Sequence, residues 1–186
     1  MKTINICIIT ILFTGIYLAT TVAVTNLFFY NKSNGSLIKL NDKIAGSKLI
    51  GQQFFSACYF QGRPSHNNYK NNISGNSNYP YYSSVLIKTT LMNLDDFTSN
   101  NPACKPDLNI LTESASGLDP HISYEAALCQ TNRISKKCGI QIEELTNIIN
   151  KKSKPCICGV FGKKIVNILE LNIELKNKYA KKISTL

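Results

Sequence analysis

The stretch TESASGLDPHIS, residues 112–123, sets Ser114, Ser116, Asp119, His121 and Ser123 around a glycine and a proline. A hydroxyl, an imidazole and a carboxylate are the parts of nucleophilic hydrolysis, in which a base takes the serine proton and a third group orients the base. His121 could serve Ser114 or Ser116 only by folding back on them. The chain has no G-x-S-x-G elbow to expose a nucleophile. Its two histidines, His66 and His121, are too few for a three-histidine zinc site. The same residues also suit a turn. Asp119-Pro120 initiates one, because the proline ring fixes its own φ and pushes Asp119 toward extended backbone. Gly117 permits a sharp reversal. Ser123 stands where its hydroxyl can cap a following helix. The turn accounts for more of these residues than catalysis does.

Other chemistry is poorly represented. There is no G-x-x-x-x-G-K-[ST] loop and no D-K-T-G phosphorylation sequence, so any phosphoryl transfer belongs to another chain. Cys156 and Cys158 lack the second cysteine or histidine pair that a zinc site needs. With Cys58, Cys104, Cys129 and Cys138 they make six cysteines beyond Cys7, enough for three disulfides in an exported domain. The alternative is a set of unpaired, partly buried thiols, and this reading is slightly preferred.

The elements that position these groups begin with an anchor. No charged residue occurs from Thr3 to Asn31, and residues 4–30 are predominantly apolar. A bilayer core needs about 20 such residues in a helix, whereas the apolar core of a signal peptide spans about 7–15. Length therefore favours an uncleaved anchor over cleavage after Thr21-Val22-Ala23. Thr14 and Gly15, with Thr20 and Thr21, are small enough to admit a neighbouring helix. The 186-residue chain carries 21 basic and 11 acidic side chains, a formal charge of +10, and nine lysines against two glutamates follow from Lys151 onward. Such a surface suits anionic lipid, acidic partners or simple solvation. Charge does not fix the side of the membrane, since long domains cross largely regardless of it.

Beyond the anchor, Asn34-Gly35 predicts a turn, and residues 37–40 and 48–50 read as short strands separated by Asn41-Asp42-Lys43 and Gly46. Residues 61–84 have neither helical nor strand period and form a long loop. Helices are expected over 85–97, from Tyr124 to Gly139, and through Ile142, Leu145, Ile148 and Ile149. Residues 108–111, 156–161 and 166–169 read as strands, and the chain from Glu170 on as helix. Strands and helices mix without a βαβ repeat, which predicts α+β. The organisation is an anchor over 1–30 and one mixed α+β domain over 31–186.

Five segments occur in order behind the anchor: GSKLIGQ (46–52), YFQGRPS (59–65), SGNSN (74–78), SASGLDPHIS (114–123) and VNILELN (166–172). Together they resemble the C subunit of the Kdp potassium-transporting ATPase, over essentially the whole chain. The residues carrying the resemblance are Gly51, Gln52, Tyr59, Phe60, Gly62, Arg63, Pro64, Ser65, Ser74, Gly75, Asn78, Ser116, Gly117, Asp119, Pro120, His121, Ser123, Asn167, Glu170 and Asn172. Departures include Tyr79-Pro80-Tyr81-Tyr82 after SGNSN, and Lys163, Lys164 and Ile165 before VNILELN. The cysteines lie outside the family pattern.

The resemblance implies an accessory subunit without catalysis of its own, described for the family as a catalytic chaperone supporting assembly and ATP use. It implies a single-pass protein of the inner membrane with its domain on the extracytoplasmic side. The implied partners are a channel-like potassium-binding subunit and a P-type ATPase subunit; nucleic acid is not among them. The chain would hold no cofactor or metal, while the complex uses ATP, Mg2+ and K+. The named motif residues then become candidates for subunit contact. Arg63 has two readings: its donors meet a partner's carboxylate or carbonyl, or they are satisfied by loop carbonyls of its own domain. Two functions of other classes remain, a membrane-anchored Ser/His or Cys/His hydrolase and a basic surface-binding module. The anchor's length predicts that intact mass of the membrane-extracted protein will include residues 4–30; a mature chain starting near Val24 would contradict it.

Overall fold

The apolar run at the N-terminus forms one helix, α1 (Lys2–Phe28), long and apolar enough to cross a membrane. The structure is a computed structural model that describes residues 2–40, 42–102, 104–155 and 162–183. A short helix, α2 (Tyr30–Ser33), follows, and Asn34-Gly35 turns the chain into an antiparallel hairpin, β1 (Leu37–Leu40) and β2 (Lys43–Ser47). Residues 48–50, expected as a strand, instead leave the hairpin. Leu40 pairs directly with Lys43, so the turn is tighter than its polar residues suggested and the second strand begins earlier in the chain. Gly46, read as a break, pairs with Ile38 inside the ladder, next to a register shift.

The long loop lies where expected and leads into α3 (Ser84–Asn100). Residues 108–111 form one helical turn, α4 (Leu108–Leu111), rather than a strand. Asp107 is the reason: its carboxylate accepts from the backbone N–H of Ile110 at 3.2 Å and caps the turn. Ile110 and Leu111 are thereby buried.

The rest of the domain is built on a three-stranded antiparallel sheet. β5 (Ile165–Asn167) lies between β3 (His121–Ser123) and β4 (Ser153–Lys154), with Ile122 opposite Val166. Residues 166–169 are strand only as far as Asn167. There the side chain accepts from the N–H of Glu170 at 3.1 Å and starts α7 (Ile168–Ile183). Ser123 caps α5 (Tyr124–Cys138) in the same manner, accepting from Ala126 N–H at 3.0 Å, and Gly139 ends that helix in the left-handed conformation. α6 (Ile142–Lys152) completes the layer of helices. The core, formed by Phe60, Ile122, Ile134, Leu145, Ile149, Val166, Leu171 and Leu175 among others, lies between helices and sheet. The whole is α+β. Residues 156–161 lie outside the described residues.

An irregular segment, residues 57–61, runs into this core and takes most of its hydrogen bonds from side chains. Asn172 donates to the Phe60 carbonyl and accepts from the Phe60 N–H, both at 2.9 Å. Gln130 does the same for Gln61, at 3.0 and 2.7 Å. Buried Arg133 donates to the carbonyls of Ala57 and Tyr59, to Asn101 and to Gln130. Burial pushes its guanidinium down to about 10, which leaves it charged at neutral pH. The thiols differ from the reading above: Cys58 is bonded to Cys138 and Cys104 to Cys129. Folding brings those Cα atoms to 5.8 and 5.2 Å, within disulfide range. Sequence separations of 80 and 25 residues hid this proximity. Cys7 is free, and Cys156 and Cys158 lie outside the described residues.

Replacing Arg133 by Met should strip donors from two buried carbonyls and lower stability by about 2–4 kcal/mol. Met at exposed Lys137 should change it by less than about 0.5 kcal/mol. Chemical denaturation of the two variants in detergent checks this, and similar losses would count against the clamp.

Candidate functional site

Four of the five sequence segments meet around Arg63. Its Nε donates to the Thr112 carbonyl at 3.2 Å, one terminal nitrogen donates to the Glu113 carbonyl at 2.8 Å, and the other lies 3.4 Å from the Asp119 carboxylate. Of the two readings of Arg63, the intramolecular one is realised. Tyr69, in the loop after Ser65, closes the other side: its hydroxyl donates to the Arg63 carbonyl, and its N–H donates to Ser65 Oγ at 3.1 Å. Burial pushes the Tyr69 phenol up to about 12, against the opposing pull of Arg63, so it is protonated throughout the physiological range.

Asp119 is shared between Arg63 and His121. One oxygen faces Arg63; the other accepts from the N–H of His121 at 3.0 Å and lies 3.2 Å from His121 Nδ1. Burial works against ionisation of this carboxyl. The His121 side-chain and backbone hydrogen bonds, then the charges of His121 and Arg63, outweigh it and hold Asp119 below the usual carboxylate range.

The serines face the backbone. Ser114 Oγ accepts from Asp119 N–H at 3.3 Å, Ser116 Oγ from Leu118 N–H at 3.1 Å, and Ser123 Oγ from Ala126 N–H. Among the described residues, none of these hydroxyls hydrogen-bonds a histidine. The array is an arginine–carboxylate–imidazole chain that fixes a turn, not a nucleophile with its base.

Two glycines are dictated by close approach. Gly117 has φ +68°, and a Cβ there would lie 2.5 Å from the Gly75 carbonyl oxygen. This contact ties SGNSN to the Asp119 turn, where the Gly75 N–H donates to the Ser116 carbonyl at 2.8 Å and Ser74 Oγ to the same oxygen at 3.3 Å. A Cβ on Gly51 would lie 2.9 Å from the Asp119 carbonyl oxygen, while its N–H donates to the Leu118 carbonyl at 2.7 Å. The neighbouring Gln52 donates to the Ala45 carbonyl at 3.1 Å, and Pro120 accepts from the Ile168 N–H at 2.9 Å.

The fifth segment lies across β5. Asn167 donates to the Lys48 carbonyl at 2.8 Å, and Glu170 is 2.5 Å from the Lys48 ammonium. Burial opposes Glu170 ionisation, but the Lys48 hydrogen bond and charge, with Lys152 and Lys154, hold the group below its usual range. Of the remaining motif residues, Phe60 is in the core and Tyr59 packs against it. Pro64 and Gly62 line a cleft of about 340 Å3 with Arg63, Ser65 and Tyr69, faced by Asn93, Asp96 and Phe97 of α3. Asn78, at φ +51°, is exposed and apart from the cluster.

Sequence reasoning missed Tyr69, Glu113, Gln130 and Arg133. Glu113 accepts from the Ser77 N–H at 3.0 Å and lies 3.7 Å from His66 Nδ1. Gln130 and Arg133 did carry a signal, as long polar residues among the apolar positions of α5.

The family model described as K+-transporting ATPase, c chain (KdpC), matches residues 1–177. The chain belongs to the KdpC family. It is 36% identical over 169 residues to the potassium-transporting ATPase KdpC subunit of Caldanaerobacter subterraneus subsp. tengcongensis, covering 89% of this chain and 88% of that one. It is 41% identical over 151 residues to the KdpC subunit of Bacillus mycoides, with 78% of each covered. The KdpC subunit of Klebsiella pneumoniae is 35% identical over 173 residues, with 90% and 91% covered. Potassium transport is thus the process to which this KdpC chain belongs, as a subunit carrying one candidate membrane span.

Asp119→Ala should destabilise the domain by about 1–3 kcal/mol, since Arg63 and His121 lose a shared acceptor. His121→Ala should cost less than about 1 kcal/mol. Because the folded pKa of Asp119 is depressed, its stabilisation is complete above the ordinary carboxylate value of about 4 and disappears as pH falls through the folded value. Unfolding curves from pH 7 to pH 2 should therefore converge for wild type and Asp119→Asn at the acid end.

Proposed function

We propose that this chain is a non-catalytic accessory subunit of an ATP-driven, high-affinity potassium importer, supporting assembly and ATP use by the catalytic subunit. The carrying observation is the family match along nearly the whole chain, residues 1–177, behind a single membrane helix. Its partners are a channel-like potassium-binding subunit and a P-type ATPase subunit, and ATP, Mg2+ and K+ are used by that complex. The absence of a phosphate-binding loop and of a phosphorylation sequence supports placing phosphoryl transfer in another chain.

The domain stands on the extracytoplasmic side. Two disulfides support this, because such bonds persist in oxidising compartments and are rare in the cytosol. In this reading the Arg63–Asp119 cluster is a rigid platform. It holds the cleft beside α3 and the exposed Asn78 loop in fixed positions for neighbouring subunits. The engagement of Ser114, Ser116 and Ser123 with backbone N–H groups favours this over a hydrolase.

Cells lacking only this gene, and lacking other high-affinity importers, should fail to grow at scarce potassium and recover when it is plentiful. The purified chain should show no ATPase activity. Normal growth of the deletion strain under limitation, or potassium-dependent ATP hydrolysis by this chain alone, would overturn the proposal.

A further inference from the structure

The β1–β2 hairpin has a face that the domain leaves open. Ile38 pairs with Gly46, and a Cβ on Gly46 would meet the Gln52 side chain and Leu169, so that face lies against the domain. Successive strand residues point to opposite sides, and residues directly opposite in a ladder share a side. Leu37, Lys39 and Ile44, the partner of Lys39, therefore face away from the domain. Leu37 is 48% and Ile44 62% exposed, and Lys39 is exposed with them.

Charge around this face is mostly of one sign. Lys32 of α2, Lys39 and Lys43 are all exposed. Among the described residues, no carboxylate lies within ion-pair distance of these three lysines. Lys48, the next in sequence, is held by Glu170. Asp42, beside the hairpin turn, is the only acidic residue of the chain before Asp95.

The hairpin also starts close to the bilayer. The 27 residues of α1 make a helix about 40 Å long, against about 30 Å of hydrocarbon. Its end, with the aromatic run Phe28-Phe29-Tyr30, suits headgroup level. Residues 29–36 would span roughly 27 Å if extended. Instead they fold back: Ser33 N–H donates to the Phe29 carbonyl at 2.9 Å and Ser36 N–H to the Asn31 carbonyl at 2.7 Å. Asn26 of α1 accepts from the side chains of Ser33 and Asn34.

We infer that the face bearing Leu37, Lys39 and Ile44 docks on the anionic lipid surface beside the anchor. Its aliphatic side chains enter the interface, and Lys32, Lys39 and Lys43 meet lipid phosphates. That boundary accommodates apolar groups and the long stems of lysines with charged heads. A protein partner fits less well, because lysine is depleted at the centres of protein interfaces. A second copy would set lysine against lysine. The inference needs the membrane helix but not the transport complex.

The test reconstitutes the full chain in vesicles, with a fluorescent side chain at residue 44 and brominated acyl chains as quencher. The docked-to-undocked ratio read from quenching should be at least about tenfold higher in phosphatidylcholine containing about one-third phosphatidylglycerol than in phosphatidylcholine alone, and should fall as salt rises. Lys39→Gln combined with Lys43→Gln should lower that ratio by at least about tenfold, since each lysine at an anionic surface contributes about fivefold. Lys136→Gln combined with Lys137→Gln, an equal loss of charge on α5, should change it by less than about twofold. Absence of quenching, equal quenching in both membranes, or equal losses from the two double variants would overturn the assignment. In native membranes containing the other subunits, a benzophenone side chain at residue 44 should give lipid adducts, seen by intact mass. Adducts to protein instead would overturn it as well.

Discussion

The domain depends on how segment 57–61 is held. Among the described residues this stretch pairs with no strand, yet Cys58 and Phe60 are buried, and buried backbone polar groups need partners. Ser56 takes the N–H groups of Cys58 and Tyr59, and three side chains supply most of the rest. The amides of Gln130 and Asn172 each offer one donor and one acceptor, so each mimics one rung of a β-ladder. Arg133 adds a fork of donors that reaches two carbonyls and, through Gln130, fixes the amide that holds Gln61. A charged residue in a core is usually a liability, because desolvation costs several kcal/mol. Here the guanidinium has four oxygen partners, and the segment cannot be buried without such a donor. The Cys58–Cys138 bond closes the same contact covalently, between that segment and the end of the helix carrying Arg133.

The Arg63–Asp119 cluster is built outward from this clamp. Gln61 is followed at once by Gly62 and Arg63, so fixing the Gln61 backbone sets where Arg63 begins. Arg63 then reads the carbonyls of Thr112 and Glu113 and the carboxylate of Asp119, and Asp119 in turn sets His121 at the start of β3. Loop residues far apart in sequence are held by backbone carbonyls and one shared carboxylate. That economy of contacts is why residues that look catalytic by type serve geometry instead.

Much of this was legible in the sequence, for identifiable reasons. α1, α5 and α6 announced themselves by apolar runs or periodicity, and Ser123 and Gly139 by cap chemistry, which is local. The errors arose where a side chain overruled a short apolar run. Asp107 turned Leu108–Leu111 into helix, and Asn167 stopped a strand that the run VNIL would have continued. The family segments were visible as text, but their convergence was not: Gly75 against Gly117, and Gly51 against Asp119, are contacts between residues more than forty positions apart. Tyr69 gave no signal, since it lies in an Asn-rich loop without period. The disulfides escaped because pairing depends on distance in space, which six scattered cysteines do not reveal.

The anchor and the platform are joined by hydrogen-bonded chain with little slack. Phe29 N–H donates back to Thr25, Ser36 N–H to Asn31, and Asn26 of α1 accepts from Ser33 and Asn34 of the turn that follows. From that turn the chain enters the β1–β2 hairpin, whose exit residue Lys48 is bound twice, its carbonyl to Asn167 and its ammonium to Glu170. Asn167 also caps α7, which carries the Asn172 amide of the clamp. A helix fixed against its neighbours in the membrane would therefore restrict the position of the hairpin, and the hairpin that of β5 and α7. For an accessory subunit, such continuity makes structural sense: a domain that must hold a face toward other chains gains little from a tight core if its tether swings freely.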